Sequence, residues 1–152
     1  MKNKFFPVCL LLMRITAGGI FAVSGFMKLI RPASDFLSSI QSYEILNGPN
    51  ASFLAQTMPW FEFFFGLFLI LGLWTTVSVI ILWAFNSVFI IVLTSALIRA
   101  LPIQSCGCFG ESVSLTPRQT LFLDAALWFF FAALAAFPKK TRQWSLDSAL
   151  KR

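Results

Sequence analysis

The chain has 152 residues, of which 58% are hydrophobic and 12% charged, and Phe alone occurs 19 times. Soluble domains carry about half apolar and about a quarter charged residues, so this balance excludes a soluble globule and points to one integral membrane domain over 1–152. The net charge of +6 is no nucleic-acid footprint, because the basic residues flank apolar runs as topology signals do; the absence of histidine removes the commonest general base and metal ligand.

Lys2 and Lys4 precede an apolar run over about 5–29. It is too long for a signal peptide, is interrupted by Arg14 and lacks a small-residue cleavage site, so it reads as the first transmembrane helix. Gly18, Gly19, Ser24 and Gly25 allow close helix approach in lipid. Lys28, Arg31 and Pro32 end the run. Residues 34–47 differ in character. Phe36, Leu37, Ile40, Tyr43 and Leu46 recur at helical spacing among serines and Glu44, behind Ser34 and Asp35 as capping residues. They predict a short amphipathic helix on the membrane surface or across the mouth of the bundle. Asn47-Gly48-Pro49-Asn50 is a turn. The second span covers about 55–73, with Pro59 in its first turns and Trp60 at the interface. A short break at 74–76 makes a tight hairpin with the third span, about 77–98, which ends at Arg99. A polar loop over 105–112 follows. Thr116-Pro117 opens a fourth span over about 118–137, Pro138 stops it, and a short tail over 144–152 closes the chain. The expected fold is all-α: a polytopic four-transmembrane-helix bundle with an amphipathic helix between the first and second spans.

Four spans put both termini on one side. That side holds Lys2, Lys4, Lys139, Lys140, Arg142, Lys151 and Arg152 against Asp147. The other holds Lys28, Arg31, Arg99 and Arg118 balanced by Asp35, Glu44 and Glu111. The positive-inside rule makes the termini cytoplasmic, and the 34–47 helix and 105–112 loop periplasmic, in a bacterial inner membrane.

That loop carries Ser105-Cys106-Gly107-Cys108-Phe109-Gly110. Two thiols one residue apart can close a small ring, and Gly107 eases the dihedrals. A ring this tight is strained and therefore reducible, and it closes too little chain to act as a staple. The periplasm suits such a pair. Cys106 and Cys108 are therefore the candidate redox pair. The bland alternative is two free small residues in a turn. Cys9 lies far off in the first apolar run, so no four-ligand metal site is completed in one chain.

Arg14, Lys28, Glu62, Asn86 and Asp124 fall within or beside the apolar runs, and each should face the bundle or water rather than lipid. Depth along the helices suggests Lys28 as a partner for Glu62, and Asp124 for Arg14. Two readings stand side by side: opposite charges that fix helix register, or a proton path or quinone hydrogen bond.

The pattern Arg14-x-x-x-Gly18-x-x-Phe21-x-x-Ser24-Gly25-x-x-Lys28-Leu29-x-x-Pro32, a short helix leading to Tyr43, then Pro59-Trp60-x-Glu62-x-x-x-Gly66 and Cys106-Gly107-Cys108-Phe109-Gly110, resembles the DoxX/MauE family. The Cys-Gly-Cys-Phe-Gly loop tilts the resemblance towards MauE. It implies a four-helix membrane protein beside periplasmic thioredoxin-like proteins, associated with maturation of methylamine dehydrogenase. Cys106 and Cys108 would be the redox pair; Arg14, Lys28 and Glu62 would be family positions. Three functions remain in view: thiol–disulfide exchange with a thioredoxin-like partner, a quinone-coupled membrane oxidoreductase subunit, and a non-catalytic assembly scaffold. The one pair of clustered cysteines argues against an autonomous quinone-linked oxidase, which generally uses two pairs.

Overall fold

The computed structural model describes residues 5–101 and 116–141. The 105–112 loop with Cys106 and Cys108, and the 144–152 tail, lie outside the described residues. The described chain is helical throughout its regular structure: α1 (Phe5–Leu29), α2 (Ala33–Ser42), α3 (Pro49–Leu71), α4 (Thr75–Ile98), α5 (Pro117–Ala136) and α6 (Pro138–Thr141). Four of these, α1, α3, α4 and α5, are long and apolar enough to cross a membrane. At about 1.5 Å per residue they run roughly 30–37 Å, against a hydrocarbon core of about 30 Å.

The spans carry little amphipathic contrast, because lipid is as apolar as a protein core. Their inward faces follow a different rule. On α1 the buried seam runs Leu10, Arg14, Ala17, Phe21, Ser24, Lys28; on α5 it runs Thr120, Asp124, Leu127, Phe131, Leu134. On α3 and α4 it includes Ala51, Ala55, Met58, Glu62, Leu69 and Thr75, Val79, Leu82, Asn86, Leu93, Ala96. Alternating steps of three and four residues make a seven-residue repeat, which suits helices packed side by side at a shallow angle. Every intramembrane polar residue singled out from the sequence lies on a seam. The opposite faces, with Phe53, Ile91, Ile98, Phe122 and Phe129, stay exposed as a lipid surface.

α1 packs most extensively on α3, and α4 on α5. The α1–α3 contact is backbone-close. A Cβ on Gly25 would sit 2.6 Å from Phe63 N and 2.7 Å from Pro59 O; one on Gly18 would sit 2.8 Å from Gly66 O. Gly19, expected to share this role, has nothing within 4 Å of where its Cβ would be. Between the four spans lies an apolar cluster built on Leu10, Ala17, Leu69, Leu82, Phe131 and Leu134.

Three boundaries differ from expectation. α3 begins at Pro49 rather than near residue 55, because Gly48 turns at φ 71° and Pro49 is preorganised for a first helical turn. Pro59 is consequently in mid-helix. α2 is shorter than 34–47, and its N-cap is Pro32 with no side-chain cap, so Ser34 and Asp35 sit inside the first turn. There the Asp35 carboxylate complements the helix dipole, and its main-chain carbonyl accepts from the Ser38 and Ser39 hydroxyls. Leu46, expected on the apolar face, is exposed. At α5 the expected start is confirmed in detail: Thr116 and Gln119 form a reciprocal capping box with Pro117 in the first turn.

Candidate functional site: a polar cavity beneath α2

The seven-residue seams bring their polar members to one place. Ser24 and Lys28 are one turn apart on α1, and Thr120 and Asp124 are one turn apart on α5. Each pair therefore shares a helix face. Close approach of α1 to α3 at Gly25 sets Glu62 against the α1 pair. Lys28 Nζ donates to Glu62 Oε1 at 2.9 Å and Oε2 at 2.7 Å, and Ser24 Oγ donates to Oε2 at 3.3 Å. Lys28 is 6% and Glu62 3% exposed, so the pair is desolvated and stands on mutual neutralisation. Across the bundle, Asn86 Nδ2 donates to the Asp124 main-chain carbonyl at 2.9 Å. The other amide atom of Asn86, Oδ1, is buried and accepts no hydrogen bond within the described protein. Leaving such an oxygen unsatisfied costs about 1–3 kcal/mol.

These six side chains (Ser24, Lys28, Glu62, Asn86, Thr120 and Asp124) border a single cavity of about 40 Å³. Ile20, Phe21, Met58, Phe85, Phe89, Leu123 and Leu127 complete its walls. Phe21 and Leu127 also belong to the apolar cluster, which closes the cavity towards the α6 end. At the other end α2 lies over it. The Phe36 ring centroid is 4.6 Å from Lys28 Nζ, and Phe36 packs with Ala55 and Met58. The α2 end is tied down further along the chain: Tyr43 is buried among Leu93 and Ala96, and Arg99 donates to the Tyr43 carbonyl at 3.1 Å and to Glu44 at 2.6 Å. Glu44 and Ala100 adopt positive φ at this clasp. A volume of about 40 Å³ is enough for water.

The expected Lys28–Glu62 pair is present, though by a different geometry. Glu62 lies thirteen residues after Pro49, about 20 Å along α3, not in its first turns. The first turns of α3 instead stand beside α2. Arg14 and Asp124, expected together on depth, occupy different parts of the bundle: Asp124 borders the cavity and Arg14 does not. Arg14, 2% exposed, donates through Nη1 to the Thr141 carbonyl at 3.1 Å. α6 folds back against α1, with the Thr141 hydroxyl donating to the carbonyls of Leu134 and Phe137. Cys9 is a free, half-buried thiol on α1. Among the described residues no three metal-ligating side chains converge. Ser24, Thr120, Phe36 and the Arg99–Glu44 clasp were not anticipated. The i, i+4 spacing of Ser24 with Lys28, and of Thr120 with Asp124, was the available signal for the first two.

No curated protein and no solved structure matches the chain. The family model of the methylamine utilisation protein MauE matches residues 7–138, from the first turn of α1 to the start of α6. With all four membrane-crossing helices inside the matched stretch but for the first two residues of α1, this chain belongs to the MauE family of multi-pass membrane proteins associated with methylamine utilisation.

Proposed function

We propose that the chain is a membrane thiol–disulfide exchange protein, acting with a periplasmic thioredoxin-like partner in maturation of methylamine dehydrogenase. The observation that carries this reading is Cys106-Gly107-Cys108 in the connection between α4 and α5, within the residues matched to the family. One thiolate attacks the partner's disulfide. A mixed disulfide forms, and the released partner sulfur takes up a proton. The second cysteine then attacks the mixed disulfide and releases the partner as a dithiol. Two electrons and two protons have moved from Cys106/Cys108 to the partner, and the reverse exchange follows the same steps when the relative potentials are inverted.

Charge supports a periplasmic position for this connection. Lys28 is buried against Glu62 and so leaves the count of loop charges. Arg31, Arg99 and Arg118 are then offset by Asp35, Glu44 and Glu111, while Lys2, Lys4, Lys139, Lys140, Arg142, Lys151 and Arg152 stand against one acid. α2, joined to α3 on the same side of the bundle as Leu101 and Thr116, offers a partner a docking ledge.

The test is labelling of Cys106 and Cys108 in intact cells with a maleimide that cannot cross the inner membrane, before and after mild reduction. Labelling only after reduction is expected, together with a mixed disulfide trapped by Cys106→Ser or Cys108→Ser. Labelling that requires the membrane to be opened would invert the topology. Full maturation of the dehydrogenase in the double-serine variant would leave a scaffold in place of an exchanger.

A further inference from the structure

The C-terminal ends of α2 and α4 meet, and each turns through a left-handed residue that is not glycine: Glu44 at φ 54° and Ala100 at φ 50°. Such residues are strained and persist where the surroundings fix them. At α4 those surroundings are plain. Arg99 is the C-cap, the Ala100 N–H donates to the Leu97 carbonyl at 3.2 Å, and the Leu101 N–H donates to the Ala96 carbonyl at 3.1 Å. This is the Schellman pattern, which folds the chain back so that the residue after the left-handed one packs on the last turn. Leu101 accordingly packs against the cluster of Tyr43, Leu93 and Ala96. Leu121, in the second turn of α5, packs against the same cluster. Residues on both sides of the 102–115 connection are thus seated on one cluster, and α2 contributes its C-cap residue to it. Arg99 then joins the two helix ends: Nη1 donates to the Tyr43 carbonyl at 3.1 Å and Nη2 to the Glu44 carboxylate at 2.6 Å. The last carbonyls of a helix lack partners inside it, and a cation there complements the dipole.

We propose that Arg99 is a positioning residue for exchange at Cys106 and Cys108, tying the position of α2 to the two flanks of their connection. The inference rests on the thiol–disulfide reading and adds a coupling to it. Oxidation or reduction of the pair changes how firmly the end of α2 is held, and loosening α2 changes the exchange constant of the pair by the same factor. A partner that docks on α2 therefore acts on the pair without touching either sulfur.

The experiment uses the full chain in lipid nanodiscs, equilibrated with mixtures of glutathione and glutathione disulfide. Reduction turns the Cys106–Cys108 disulfide into two thiols while two glutathione thiols become one glutathione disulfide, so two electrons and two protons pass to the pair. Alkylation at Cys106 and Cys108, read by mass spectrometry, gives the exchange constant. The Arg99–Glu44 pair is 40% and 61% exposed, so Arg99→Gln leaves the fold intact. Arg99→Gln and Tyr43→Ala are each expected to change the constant by at least about fivefold. Arg99→Lys, which keeps the charge but loses the two-pronged grip, is expected to recover little of it. In the native protein, proteolytic cleavage between residues 43 and 48 is expected to differ by a similar factor between the oxidised and reduced states, and not to differ when both Cys106 and Cys108 are replaced by serine. Equal cleavage in the two redox states of the native protein overturns the coupling, whatever the variants do. A constant that changes in Arg99→Gln, returns in Arg99→Lys and is unmoved in a folded Tyr43→Ala protein means that the Arg99 charge acts directly on the thiolates, and overturns it too. A native pair that forms no disulfide at any glutathione ratio overturns the exchange reading itself, and is told apart because no constant can then be measured.

Discussion

Lys28 and Glu62 illustrate what a buried ion pair does in an apolar bundle. Removing either charge leaves the other desolvated, at a cost of about 3–5 kcal/mol, whereas replacing both by apolar groups of similar volume is often neutral. Lys28→Met is therefore expected to lower unfolding free energy by about that amount in mixed-micelle SDS titrations. Lys28→Met combined with Glu62→Leu should recover most of it. A double variant as unstable as the single one would mean that Ser24 and Phe36, not neutralisation, hold this corner together. The sequence marked Lys28, Glu62, Asn86 and Asp124 as costly in lipid. It did not show which of them meet, because depth counted from a helix end inherits every error in that end, as the early start of α3 demonstrates.

At the scale of the elements, the α1–α3 seam depends on missing Cβ atoms. Gly25→Ala would force a methyl against the Pro59–Phe63 backbone and is expected to cost about 1–3 kcal/mol. Gly19→Ala meets open space and is expected to be neutral or to stabilise by up to about 1 kcal/mol through helix propensity. Equal effects in the same SDS titration would mean the two helices shift freely. α2 is held by two buried rings, Phe36 and its C-cap Tyr43, and by one exposed clasp. The Arg99–Glu44 pair is 40% and 61% exposed, so Arg99→Gln alone should change stability by no more than about 1 kcal/mol. Phe36→Ala removes the ring over Lys28, and should speed proteolytic cleavage between residues 43 and 48 while the four spans stay intact. Unchanged cleavage would show that Tyr43 alone retains α2.

For the whole molecule, the four spans divide into two polar levels separated by an apolar one. The cavity lies beneath α2, the Arg14–Thr141 contact lies towards α6, and the Ala17, Leu69, Leu82 and Phe131 part of the apolar cluster sits between them. Arg14 anchors the returning turn of the chain. Arg14→Leu is expected to release Thr141 and to raise protease sensitivity after Pro138, with cleavage between residues 43 and 48 unchanged. A rise at both places would show that the two levels are coupled through the core. The same separation accounts for a blind cavity: a polar path through the bundle would have to cross side chains that are fully apolar and closely packed.

The sequence by itself determined the number of spans, their all-α character, the helix between the first two and the family, because a membrane demands runs of about twenty apolar residues whatever their neighbours are. It also identified the polar residues that must face inward. Which face of each span turns inward was decided only by the tertiary structure. Lipid and core are equally apolar, so composition leaves no stripe to read, and the seam is set by where small residues let backbones close and where buried polar groups find partners. Gly25 and Gly19 look alike in sequence, and only packing distinguishes them. Ser24, Thr120 and Phe36 entered the site for the same reason, since each acts through a neighbour on another helix that no local pattern names.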